Sequence, residues 1–201
     1  MRYSGVLRRA IYIFVCALPL VLFCFSGGEL LLQTAVAICL HEFAHLVTLM
    51  GFGGRVKSFR TAPFGLCIEY EESELSFLGE LCVSLSGCAA NLFSAAVAFA
   101  LWQIFGFELI GFCGVNLILA LVNLIPVYPL DGGRILHIFV LYAAGPSAAY
   151  RTSAIVSYVF GFASFTVSSY MLLTSVGGIY PLMFSLYLMS GTAKMLESAL
   201  L

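Results

Sequence analysis

The chain has 201 residues, 62% of them hydrophobic and 9% charged, with a formal net charge of −1 at pH 7 and a mean hydropathy of +1.05. An ordinary soluble domain carries roughly 25% charged residues, so this composition excludes a chain that buries its apolar surface against itself and leaves a wettable exterior; the lipid bilayer is its expected solvent. No cationic stripe is present to track phosphates, which excludes nucleic acid as a partner.

A membrane span needs about 20 apolar residues, and Gly, Pro and charges mark the breaks. The first predicted span covers residues 10–25. Its Arg-rich start resembles a signal peptide, but Ser26-Gly27-Gly28 offers no A-x-A-like cleavage site, so it is read as a span.

The second span, residues 30–50, contains His41-Glu42-Phe43-Ala44-His45. Residues four apart share a helix face, so the two imidazoles can converge on one metal ion, with Glu42 beside them. Ionisable groups at membrane depth cost about 2.5–3.5 kcal/mol each on insertion scales, so three in five positions call for a function. A zinc-hydrolase site supplies one. The bland alternative, two core histidines bonded to neighbouring helices, does not explain the intervening glutamate.

The longest polar loop, residues 51–76, alternates weakly on either side of Pro63-Phe64-Gly65, which predicts a short β-hairpin. The third span, residues 77–104, carries Ser86-Gly87-Cys88 and Asn91; an amide at that depth must find partners, so Asn91 either orients substrate or ties helices together. Glu80, near its start, is read as an interfacial charge, with a third metal ligand as the fallback. The fourth span, residues 109–127, runs into Asn123-Leu124-Ile125-Pro126-Val127-Tyr128-Pro129-Leu130-Asp131-Gly132-Gly133. The prolines predict a kinked fourth helix, Gly132-Gly133 an irregular path, and irregular backbone at membrane depth is tolerated where it lines a protein cavity. Asp131 is the only aspartate in the chain. Catalytic zinc takes three protein ligands and keeps a position for water, so Asp131 is the expected third ligand. Asn123 is expected to satisfy a backbone group freed by Pro126 or to support Asp131.

Residues 135–144 are too few to cross, and predict a re-entrant or interfacial helix turn in which His137 is an interfacial polar residue. The fifth and sixth spans cover residues 154–173 and 180–195. Six crossings put both termini on one side. All nine Lys and Arg residues (Arg2, Arg8, Arg9, Arg55, Lys57, Arg60, Arg134, Arg151, Lys194) fall in the tails or the second and fourth loops, so both termini are expected to be cytoplasmic, with the hairpin on that side. The second and fourth spans then both run toward the cytoplasm, bringing the histidine pair and Asp131 toward one face. The seven cysteines form no C-x-x-C pair and read as small packing residues. Trp102 and the tyrosines read as interface anchors or core. With no linker, repeat or second soluble segment, residues 1–201 are expected to be one membrane-embedded domain: an all-α polytopic protein of six transmembrane helices.

On His41-Glu42-x-x-His45, Asn123-x-x-Pro126-x-x-Pro129-Leu130-Asp131-Gly132 and Ser86-Gly87-x-x-x-Asn91, the chain resembles the site-2 proteases, a family of intramembrane zinc metalloproteases, and within it the stage IV sporulation protein FB group. The resemblance runs from the second to the fourth span. It implies His41, His45 and Asp131 as ligands of one Zn2+ ion, Glu42 as catalytic base, a bacterial source, and a protein or peptide substrate at the membrane such as a sigma-factor precursor. It departs in Cys88, where the family's third-span motif has Pro after Gly, and in lacking PDZ and CBS segments. The competing expectation is a divalent-metal transporter, which also places His and Asp at mid-membrane but needs no Glu directly after the first His.

Overall fold

A computed structural model describes residues 28–54, 56–62, 65–70, 75–175 and 179–199, with backbone alone at 56–62, 65–70 and 193–199. The predicted first span, the N-terminal cations and Gly177-Gly178 lie outside the described residues. The elements in chain order are α1 (Glu29–Gly51), β1 (Val56–Ala62), β2 (Gly65–Tyr70), α2 (Phe77–Phe105), α3 (Ile110–Asn123), α4 (Asp131–Ala144), α5 (Pro146–Leu173) and α6 (Tyr180–Ala199).

Three of these helices, α1, α2 and α5, are long and apolar enough to cross a membrane, while α3 is a shorter apolar helix. Their large side chains face outward: Phe93 is 71% exposed, Phe162 63% and Leu173 85%. Beside a few large buried residues such as Leu49 and Val83, many buried positions are small or weakly polar, among them Ala37, Ser84, Ala149, Ser153, Ser157, Ser185 and Thr192. Lipid tails are as apolar as leucine, so helices in a membrane associate through close backbone approach and satisfied hydroxyls rather than through expulsion of large side chains. The distribution fits an integral membrane protein.

The chain divides into two compact units. The first holds α1, the strand pair, α2 from Ser86 onward and α3 through Ala120. Here β1 and β2 pair antiparallel, Phe59 opposite Ile68 and Ala62 opposite Gly65, with an irregularity between Val56 and Ser58. They make a two-stranded sheet, and β2 lies against α1. The turn at the end of α1 uses Gly53 at φ 77°, which a side chain rarely adopts.

The second unit holds Ser76–Leu85 and the chain from Leu121 onward. Within it α5 packs along α6 and also against α4. Gly161 permits the close approach, since a Cβ there would meet Met189 Cγ at 3.2 Å. Phe77, at the start of α2, packs edge-on against Phe139 and Tyr142 of α4. Val127, Leu130 and Leu188 form its buried apolar cluster.

The prolines do not kink one long helix. Helix α3 ends at Asn123, residues 124–130 run irregularly, and a separate helix begins at Asp131. Pro126 and Pro129 lack the N–H groups that would continue α3, and each disfavours helical geometry in the residue before it. The loop is closed by its own turns, with Ile125 N–H donating to Val122 O and Leu130 N–H to Val127 O. Tyr128 N–H donates to Ser157 Oγ of α5 at 2.9 Å. The short stretch at 135–144 is therefore the body of a 14-residue helix. That helix joins α5 through a single residue, Gly145, at φ 85° and ψ 173°, a region essentially limited to glycine. Pro146 then starts α5 at a position where its missing N–H has no intrahelical partner to lose.

Candidate metal centre

Apolar residues all round α1 make it a helix independent of a one-sided core, and the i, i+4 spacing sets His41 and His45 on one face of it. His41 is 5% exposed and His45 half-buried. Their rings meet edge to face, with centroids 4.7 Å apart and planes at 83°. The two Nε2 atoms lie 3.1 Å apart. Two nitrogens bound to one tetrahedral zinc at about 2.0–2.1 Å stand about 3.4 Å from one another, so the pair already has the spacing that a shared cation requires.

Helix α2 forms the wall behind them. His41 Nδ1 lies 3.2 Å from Asn91 Oδ1, and His45 Nδ1 lies 3.2 Å from Ser86 Oγ. Between these contacts sits Gly87. A Cβ there would meet Nε2 of His41 at 2.7 Å and would overlap Nε2 of His45. Glycine is required because the imidazoles occupy the volume that any side chain would need. Asn91 is fully buried, with no partner for its Nδ2 among the described residues.

Asp131 opens α4, where a carboxylate is favoured by the helix dipole. The two glycines after it are helical, with no positive φ, which corrects the expectation of an irregular path there. Their role is clearance: a Cβ on Gly132 would overlap the carbonyl oxygens of Leu124 and Ile125, and one on Gly133 would overlap Tyr128 N. The first turn of α4 is thereby pressed against the proline loop.

His41 and His45 in the first unit and Asp131 in the second each offer one donor atom to a metal ion. Two imidazole nitrogens and one carboxylate oxygen match the donors of catalytic zinc sites, and the glycine cradle leaves the nitrogens unobstructed. Glu42, adjacent to His41, is half-buried.

The remaining site expectations fare unevenly. Asn91 sits behind His41. Asn123 is the half-buried last residue of α3. His137 is a packing residue of α4: its Nδ1 lies 3.3 Å from Ser153 Oγ and its ring 4.9 Å from that of Tyr150. Cys39, Cys82, Cys88 and Cys113 are free thiols. Sequence reading assigned no role to Ser86 or Gly87, although their spacing from Asn91 was the available signal. It also passed over Asn116 of α3, fully buried, whose Nδ2 donates to Phe112 O at 2.9 Å.

Residues 106–168, which include the proline loop and Asp131, match the model of peptidase family M50. The chain is 31% identical over 114 residues to Stage IV sporulation protein FB of Bacillus subtilis (strain 168), an alignment that covers 54% of this chain and 39% of that protein. It is 28% identical over 108 residues to a zinc metalloprotease of Methanocaldococcus jannaschii, covering 51% of this chain and 31% of the relative. The matches thus span well under half of either relative. Its fold is similar to that of a site-2 protease from Methanocaldococcus jannaschii, with a TM-score of 0.72 and 21% identity over 92% of this chain and 87% of that one. The matched segment begins after His41 and His45, so the histidine pair rests on the geometry above. The second of these relatives is named a zinc metalloprotease.

Proposed function

We propose that the chain is an intramembrane zinc metalloendopeptidase that hydrolyses a peptide bond of a membrane-associated or membrane-spanning protein. The observation that carries this reading is the His41–His45 pair, with Nε2 atoms 3.1 Å apart and Glu42 next in sequence to the first histidine, and we assign Asp131 of the matched segment as the third ligand. Zinc held by those three residues would supply Lewis acidity, lowering the pKa of a bound water from 15.7 to about 7 and polarising a carbonyl. Glu42 then accepts the proton of the attacking water and passes it to the leaving amine. Asn123, just before the proline loop, steadies the segment that leads to Asp131.

A helical substrate must unwind before its carbonyls become reachable, because each is already hydrogen-bonded along the helix. In a two-stranded sheet each strand keeps an open edge, and β1 or β2 would hold the unwound segment by strand addition. The six-span arrangement, both termini in the cytoplasm and a bacterial source belong to the same reading. Similarity to Stage IV sporulation protein FB supports a role in sporulation, with the membrane-associated precursor of a sigma factor as the substrate.

The test uses purified chain with Glu42→Gln. It should retain one zinc and lose proteolysis of a reconstituted membrane substrate, whereas metal flux through a transporter would survive. Proteolysis that persists in Glu42→Gln sinks the reading. Mass spectrometry of proteins retained by the same inactive variant identifies the substrate.

A further inference from the structure

We infer that the α2 segment Ser86-Gly87-x-x-x-Asn91 is a clamp that fixes the protonation pattern of both histidines, so that both Nε2 lone pairs face the same point. The inference rests on the zinc reading above and assigns two positioning residues, Ser86 and Asn91.

The argument begins with what each partner can do. A neutral imidazole carries one N–H and one lone pair, and the hydrogen bond made by one nitrogen determines which role the other plays. The amide oxygen of Asn91 only accepts, so at 3.2 Å from His41 Nδ1 it places the proton there and leaves Nε2 bare. The Ser86 hydroxyl lies 3.2 Å from His45 Nδ1; a hydroxyl can accept or donate, and the clamp assigns it as acceptor, with the proton on Nδ1 of the second ring. With both protons held on the α2 side, the two Nε2 atoms confront one another as lone pairs at 3.1 Å. That pattern is unfavourable between neutral rings alone and favourable around a shared cation.

The sequence of α2 makes this possible. Gly87 and Asn91 lie one turn apart on the same face, and Gly87 removes the side chain that would overlap both rings. Ser86 and Asn91 then reach past the cleared space to one ring each. Burial strengthens the clamp: Asn91 is fully buried and His41 nearly so, so the contact has no competing water. Partners of this kind typically change metal affinity by about 10- to 100-fold when removed, because they orient the ligand and select its tautomer.

Two measurements on the purified full chain test this. The first is zinc affinity by competition with a chromophoric chelator, alongside the unfolding midpoint of each metal-free protein. Asn91→Ala and Ser86→Ala should each weaken zinc by about 10- to 100-fold. Asn91→Asp and Ser86→Thr keep an acceptor oxygen and should bind near the wild-type level, with Ser86→Thr deciding the matter should Asn91→Ala fail to fold. The second is 15N NMR of labelled histidine in the metal-free protein, in which His41 and His45 should carry their protons on Nδ1. Wild-type affinity in both alanine variants, an Asn91→Asp protein as weak as Asn91→Ala, or protons found on Nε2 would each overturn the clamp while leaving the zinc reading intact. A wild-type chain that binds no zinc would bring down both.

Discussion

Pro129 rests directly on Gly191: a Cβ added at position 191 would lie 2.6 Å from Pro129 Cδ and 3.0 Å from its Cγ. Helix α6 thus sets the position of the loop that delivers Asp131, although it lies sixty residues further along the chain. Gly191→Ala forces proline ring and helix apart. Overpacking of this kind costs about 1–3 kcal/mol, and the displaced loop should weaken zinc binding. Thermal unfolding and zinc content after dialysis check this; an unchanged midpoint with full zinc would mean the contact does not constrain the loop.

Gly87→Ala places a methyl group in the volume of both imidazoles. The rings must turn aside, so zinc affinity should fall by more than about tenfold, as for loss of a supporting contact, with helix content by circular dichroism preserved. Retained affinity would show that α1 can draw back from α2.

Removing a donor should remove the metal. Asp131→Ala and His41→Ala each leave two of the three proposed ligands, and two protein ligands fall below what catalytic zinc sites use. Metal analysis should read one zinc for the wild-type chain and close to none for either variant. A variant that still holds stoichiometric zinc would strike that residue from the donor set.

Strand addition can be examined apart from the metal. Proline at alternate positions of β1 removes N–H donors along one edge. Turnover of a membrane substrate should drop for one alternate set while zinc content stays constant. Indifference to both sets would exclude β1 as the docking edge and turn attention to β2.

Ser157→Ala removes the acceptor of Tyr128 N–H. Ser157 is 1% exposed, and loss of a buried hydrogen bond should lower stability by about 1 kcal/mol. The unfolding midpoint of the metal-free variant is the measurement, since zinc would mask the change by mass action.

Much of the site was legible because its chemistry is stated in residue types. Two histidines four apart with an intervening glutamate have few other uses in an apolar segment, and a lone aspartate after a pair of prolines is a better-placed candidate for third ligand than Glu80. The long helices were also legible: the spans read at 30–50 and 77–104 correspond to α1 and α2 within one residue at each end.

What escaped the sequence was the meaning of glycine. Gly132 and Gly133 read as backbone freedom, yet both are helical and serve as clearance for the carbonyls of residues 124 and 125 and the backbone of Tyr128. Since the pair was taken for a break, the helix appeared to be only 135–144. Gly87 has no role legible in the sequence, because the volume it vacates is filled from another helix. Close approach between elements leaves no trace in the periodicity of either one. The start of α5 was placed at 154 rather than Pro146 because Arg151 and the polar residues around it obscure the apolar signal on which a span is read.

Gly145 has a mechanical consequence. With one residue between α4 and α5, there is no slack to absorb a change in the inclination of the longer helix. As α5 is one of the helices long enough to span lipid, bilayer thickness acts on its tilt, and a one-residue link passes that tilt to the helix whose first residue is Asp131. Membrane thickness thereby gains leverage over a carboxylate that no lipid needs to touch.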